Sequence, residues 1–84
     1  METVSDVDAE AIWMLYMGYY SDALNSVNLA RRYKNPIAFR EAYASYKVAD
    51  FIFQYLLPKR QELLAEDMQK SLAKEIEKAE QDAV

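Results

Sequence analysis

Carboxylates near the amino terminus are the first residues in this chain that could do chemistry. Asp6, Asp8 and Glu10 are close in sequence, and positions 6 and 10 lie one helical turn apart in a helix. Converging carboxylates can hold a metal ion or transfer protons, but such a site needs ligands from several elements. Acids in a first helical turn also balance the positive end of the helix dipole, which is the interpretation we prefer. We therefore expect no metal site and no cofactor.

The composition excludes most catalytic chemistry. The chain has no histidine, no cysteine and one glycine. Histidine is the commonest general base, histidine and cysteine are the usual zinc ligands, and phosphate-binding loops need several glycines. The sequence therefore predicts that the protein is not an enzyme and has no catalytic residues. A chain of 84 residues without disulfides or zinc is also marginally stable alone, which favours a homo-oligomer.

Charge is sorted into three blocks along the chain. Five acids and no base occur between positions 1 and 30, seven bases and two acids between 31 and 60, and seven acids and three bases between 61 and 84. The middle block contains Arg31, Arg32, Tyr33 and Lys34, followed by Arg40. Cations that neutralise phosphates beside a ring that stacks on a base are typical of nucleic-acid contacts. An isoelectric point near 4.7 argues against a dedicated nucleic-acid-binding protein.

Aromatic residues give the strongest indication of a binding surface. The first predicted helix carries Trp13, Tyr16 and Tyr20, and the second carries an extra apolar stripe that includes Phe51 and Tyr55. Two paired helices bury one stripe each, so a second stripe needs another partner. Either a third helix folds back over it in a monomeric bundle, or another chain covers it. Because Tyr and Trp are enriched at interfaces, we predict that these five residues form a protein interface, in a homodimer.

The elements that must position these residues are predicted to be α-helices. Twelve alanines and many Leu, Glu, Lys and Gln residues favour helix, and no segment alternates apolar and polar residues as a strand would. A first helix, about 6–34, follows a capping signal at Ser5, although Gly18 could divide it. Asn35-Pro36 predicts a turn into a second helix, about 36–57, antiparallel to the first.

Pro58 separates the second helix from a third, about 59–80. Proline kinks a helix, and no Gly, Asn, Asp or Ser lies beside it to form a reverse turn. We therefore predict a kinked continuation rather than a second hairpin. The predicted fold is a single all-α domain over residues 1–84, an antiparallel helical hairpin with a third helix continuing past a proline kink, which dimerises into a helical bundle.

These features together predict a non-enzymatic protein–protein interaction module, such as a small acidic adaptor, regulator or inhibitor. Its acidic segments, 2–10 and 62–82, could bind a second protein, and could act as a charge mimic of DNA in a phage-type inhibitor. The alternative is a nucleic-acid-binding accessory protein that uses the basic tip, Arg31 to Lys34. The longest apolar run has ten residues, about half of what a bilayer requires. With no visible signal peptide, we expect a cytoplasmic protein without membrane contact.

Overall fold

The computed structural model describes residues 6–83, and nearly all of them are helical. Helix α1 is Asp6–Tyr33, helix α2 is Pro36–Phe51 with a π-helical turn at Ile52–Leu56, and helix α3 is Lys59–Ala83. No strand occurs in this range, so the predicted all-α class is confirmed. The predicted capping role of Ser5 lies outside the described residues. No helix in the described part of the chain is long and apolar enough to cross a membrane.

The first turn of the chain forms where the sequence predicts it. Helix α1 runs without a break through Gly18 for 28 residues and ends at Tyr33. Lys34 then adopts a left-handed conformation, with φ of 50°. The Asn35 side-chain oxygen accepts hydrogen bonds from the backbone N–H groups of Ile37, at 2.9 Å, and Ala38, at 3.4 Å. This cap satisfies two of the free donors at the start of α2, which fixes the hairpin.

The second turn reverses the chain at Pro58 without any of the usual turn residues. The Leu57 N–H donates to the Ile52 carbonyl at 2.9 Å, which closes the π-helical turn. Leu57 itself is extended, with φ of −67° and ψ of 132°, because a residue before proline avoids the helical conformation. The Pro58 carbonyl accepts the N–H groups of Gln61 and Glu62, both at 2.9 Å, and thereby starts α3.

The prediction that α3 continues away from the hairpin is therefore wrong. Side chains of α3 contact α1 at both of its halves, through Tyr16 with Gln69 and Arg31 with Asp82. The molecule measures 46 × 17 × 15 Å, whereas α2 and α3 in line would span about 70 Å at 1.5 Å per residue. The three helices form an up-down-up bundle in which α3 is parallel to α1 and antiparallel to α2.

The core of this bundle is built largely from small side chains. Of the fourteen hydrophobic residues that are buried in the described part of the chain, eight are alanines. These are Ala9, Ala23, Ala30, Ala38, Ala42, Ala49, Ala65 and Ala79. The largest fully buried side chains are Tyr16, Ile52, Leu72 and Val27. Thirteen large hydrophobic residues of the described chain are meanwhile exposed by more than a third, so much of the apolar volume lies on the surface.

Candidate protein-interaction surface

Three of the five predicted interface residues form an aromatic row that belongs to the bundle. Tyr16 is fully buried, so the prediction that it contacts another chain is wrong. Trp13 and Tyr20 are half-buried against the core. Their rings lie on either side of Tyr16, with centroids 5.7 and 6.1 Å from it. The row was taken for a surface because α3 was not expected to return over α1.

A buried polar network connects this row to α2 and α3. The Tyr16 hydroxyl donates to Gln69 Oε1 at 2.8 Å, and Gln69 Nε2 donates to Asp50 Oδ1 at 3.4 Å. The other oxygen of Asp50 accepts from Gln54 Nε2 at 2.7 Å. Burial raises the pKa of Tyr16 to about 12, with smaller contributions from Tyr20 and Asp50, so the hydroxyl stays a neutral donor. The network joins all three helices and sets the register of α3.

Phe51 and Tyr55, the other two predicted residues, lie on the surface as a pair. Their side chains are 55% and 71% exposed, and their ring centroids are 5.1 Å apart. Phe51 ends α2, and Tyr55 lies in the π-helical turn that follows. The two rings contact each other at an interplanar angle of 47°, and two large rings exposed together form an apolar surface of the kind found at protein interfaces.

We infer from helix periodicity that this pair lies along a groove between α1 and α2. Its location follows from a shallow cleft lined only by residues of α1 and α2. The cleft residues are Asp22, Asn25, Ser26, Glu41, Ala44 and Ser45. Residues seven apart lie on the same side of a helix. One heptad closer to the proline turn, the same groove is therefore bordered by Leu15 and Gly18 on α1 and by Val48 and Phe51 on α2.

We call the set of Leu15, Gly18, Val48, Phe51 and Tyr55 the α1–α2 patch. None of these residues is charged. Leu15 is 50% exposed and Val48 is 38% exposed, and Gly18 is exposed as well. Phe51 and Tyr55 are predicted from sequence as part of a second apolar stripe on α2, whereas Leu15 and Gly18 are not predicted as interface residues. Their only signal was heptad spacing from polar residues, which by itself does not identify an apolar groove.

At the opposite end of the bundle, the basic tip is partly neutralised by α3. Arg31 Nε donates to Asp82 Oδ2 at 2.9 Å, and Arg31 Nη1 donates to Glu75 Oε2 at 3.2 Å. All three side chains remain 32–52% exposed. Arg31 is grouped with the other cations in the sequence-based prediction because a third helix that continues away from the hairpin would keep Glu75 and Asp82 far from it.

The remaining residues of the basic tip are exposed. Arg32, Lys34 and Arg40 face solvent, and Tyr33 is 66% exposed. Ile37, on the other side of the turn, is 64% exposed. The tip thus combines cations with apolar side chains, a feature that sequence analysis recognised only for Tyr33.

The acidic side chains of α3 are also partly paired within the helix. Lys70 Nζ lies 3.3 Å from Glu66 Oε1, and Lys78 Nζ lies 3.7 Å from Glu75 Oε1. Among the described residues, no three acidic side chains converge as a metal site would require. The Asp6 side chain, part of the carboxylate run near the amino terminus, lies outside that set. The exposed acids of α3 therefore form a mixed, partly compensated surface.

No protein-family model matches this chain, and no curated protein or solved structure has significant similarity to it.

Proposed function

We propose that this protein is a non-enzymatic protein–protein interaction module that binds through the α1–α2 patch. The observation that supports this proposal is the contacting ring pair of Phe51 and Tyr55, which is more than half exposed on a bundle whose core is mostly alanine. Folded proteins rarely leave contiguous apolar surface of this kind uncovered unless it binds something. Adaptor, regulator and inhibitor roles all fit a small module of this type.

The exposed face of α3 is the second surface in this proposal, and it would meet a basic partner protein. Charge mimicry of DNA depends on acids that are not already compensated. Glu75 and Asp82 are bound by Arg31, and Glu66 by Lys70, so mimicry would rest on the other acids of α3. A phage-type inhibitor role and a cytoplasmic location stay predictions from composition.

A pair of matched variants tests the proposal. Phe51→Ser with Tyr55→Ser removes the two rings of the patch, while Leu63→Ser with Leu64→Ser removes two apolar side chains that are both 68% exposed on α3. Each tagged protein is used to capture proteins from the cells that produce it, and the captured proteins are quantified by mass spectrometry. We expect a partner that is lost with the first variant and kept with the second. Equal capture by both variants would refute the proposal.

Nucleic-acid binding at the basic tip is the second candidate, and the exposure of Tyr33 between Arg32 and Lys34 favours it. Such binding should weaken steeply with salt, since it releases counterions from phosphates. Fluorescence anisotropy with labelled single-stranded DNA and RNA at low and high salt tests it. Arg32→Ala with Lys34→Ala should abolish binding, and Leu63→Ser serves as the control.

A further inference from the structure

We propose that the α1–α2 patch is covered by a second copy of this chain, with the two α1 helices crossing antiparallel at Gly18. This inference rests on the proposed function, because it names the partner of the same patch. The two copies are related by a two-fold axis that passes beside Gly18, so each contributes the same surface. Four observations support this arrangement.

The only glycine in the chain has no role within one copy. Gly18 lies in the middle of α1, which is continuous through this position, and its φ is not positive. A Cβ added at this position would meet nothing within 4 Å. Glycine is among the least favourable residues in a helix interior, so its presence there indicates another reason. On an exposed helix face, that reason is the close approach of a second backbone.

The residues around Gly18 have the shape of a socket for a second helix. Heptad spacing places the exposed Leu15, Val48 and Phe51 along the same groove as the glycine, and the small, exposed Ala11 lies seven residues before Gly18 on the same side of α1. A helix that crosses at Gly18 would lie between these larger side chains. The same surface on the other copy would receive the first α1 in the same way, as a two-fold interface requires.

Charge along α1 selects the antiparallel orientation. Helix α1 carries the exposed Glu10 near its start and the exposed Arg32 at its end, while Arg31 is already paired with acids of its own α3. Gly18 is close to the middle of this helix, so an antiparallel crossing places the acidic start of each α1 near the basic end of the other. A parallel crossing would bring like charges together at both ends, which is unfavourable.

The patch exposes large apolar side chains that a second copy would cover. Leu15, Val48, Phe51 and Tyr55 are 38–71% exposed. A second copy on the α1–α2 patch would remove these side chains from water and add them to an alanine-rich core.

Disulfide cross-linking tests the crossing point, since the natural chain has no cysteine. Ala11 and Asn25 are both exposed and lie seven residues before and after Gly18, so each faces the other across an antiparallel crossing. An oxidised mixture of Ala11→Cys and Asn25→Cys proteins should therefore form mostly the mixed disulfide dimer. Self-linked dimers in equal or greater amount, or no cross-linked product, would overturn the proposed crossing.

Substitution of Gly18 tests the same point without a cross-link. Light scattering coupled to size exclusion should give twice 9.8 kDa for the natural chain. Gly18→Ala leaves the fold of one copy intact, because nothing lies near the added methyl group. We expect it to raise the dissociation constant of the dimer by about tenfold, which is measurable by sedimentation. Asn28→Ala, on the side of α1 that borders Asp82, should leave the dissociation constant unchanged.

The outcomes separate this inference from the proposed function. A natural chain that stays monomeric at near-millimolar concentration overturns the inference, as does a dimer that Gly18→Ala leaves unchanged. The chain could instead be monomeric while the Phe51→Ser, Tyr55→Ser variant fails to capture a protein that the natural chain captures. In that case the patch is an interface for a different partner. If it is monomeric and capture is also unaffected, both the inference and the proposed function fail.

Discussion

The hydrogen bond from the Tyr16 hydroxyl to Gln69 is a direct measure of how α3 is held against the hairpin. Tyr16→Phe deletes one oxygen atom and leaves Gln69 Oε1 without its donor at 2.8 Å. Gln69 is only 6% exposed, so water does not readily replace that donor. A buried polar group without a partner lowers the free energy of unfolding by about 1–3 kcal/mol. In a domain of this size, the melting temperature should therefore fall by roughly 5–20 °C.

A double-mutant cycle isolates this contact. Gln69→Leu leaves the Tyr16 hydroxyl unpaired, whereas Tyr16→Phe with Gln69→Leu removes both partners together. Because replacing both partners by apolar groups can be nearly neutral, the double variant should be more stable than the sum of the single effects predicts, by about 0.5–3 kcal/mol. Urea denaturation followed by circular dichroism measures all four proteins. Tyr33→Phe, at a 66% exposed position, is the control and should change stability by less than about 0.5 kcal/mol. If Tyr16→Phe and Gln69→Leu each change the free energy of unfolding no more than Tyr33→Phe does, and their effects simply add, α3 does not pack against α1 as described.

Four further predictions concern stability. The pKa of Tyr16 is raised to about 12 in the folded chain, whereas an unfolded tyrosine titrates near pH 10. The folded state therefore binds this proton more tightly, and the free energy of unfolding should fall as pH rises from about 10 towards 12. Tyr16→Phe should make this fall smaller in denaturation experiments at several pH values. Arg31→Ala removes two exposed ion pairs, so unfolding free energy should drop by about 0.5–1 kcal/mol at low salt and less at high salt, with faster hydrogen exchange at the end of α3. Asn35→Ala removes the α2 cap and should destabilise the chain by about 0.5–2 kcal/mol in urea titrations, whereas Asn35→Asp should retain most of the stability. A chain truncated after Ala65 loses the buried side chains of Leu72 and Ile76, each worth about 1.5–3 kcal/mol, and its circular dichroism spectrum should show an unfolded protein.

The hairpin could be predicted from sequence because local chemistry determines it. Asn35 accepts hydrogen bonds from the first backbone donors of α2, and Pro36 suits the first helical position. Both effects act over three residues and do not depend on the rest of the fold. The predicted helix boundaries at this turn are accordingly correct to within one residue.

The reversal at Pro58 could not be predicted in the same way because it uses the backbone alone. Pro58 accounts for the extended Leu57, but it does not distinguish a kink from a reversal, and the π-helical turn has no side-chain signature because its hydrogen bonds join backbone groups only. What favours the reversal is distant in sequence, namely the packing of α3 against α1. One trace of that packing was readable, because Ala65, Leu72 and Ala79 recur every seven residues and are all buried.

The placement of the aromatic residues depends on which faces of the helices approach most closely. Tyr16 shares a heptad position on α1 with Ala9, Ala23 and Ala30, and all four are buried. Alanines on the facing sides of two packed helices let the helix axes come close together. This close packing increases backbone and Cβ contacts but leaves little volume for aromatic rings between the helices. Tyr16 fits between the closely packed helices because its hydroxyl donates a hydrogen bond to Gln69. The other tyrosines lie at the edge of the core or on the surface. Residue type alone therefore does not show that Tyr16 is buried and Tyr55 is exposed. The alanines that share the heptad position of Tyr16 do indicate that this position is buried. The proposed interface depends on this distribution, in which alanines fill the closest helix contacts and the rings of Phe51 and Tyr55 lie at the surface.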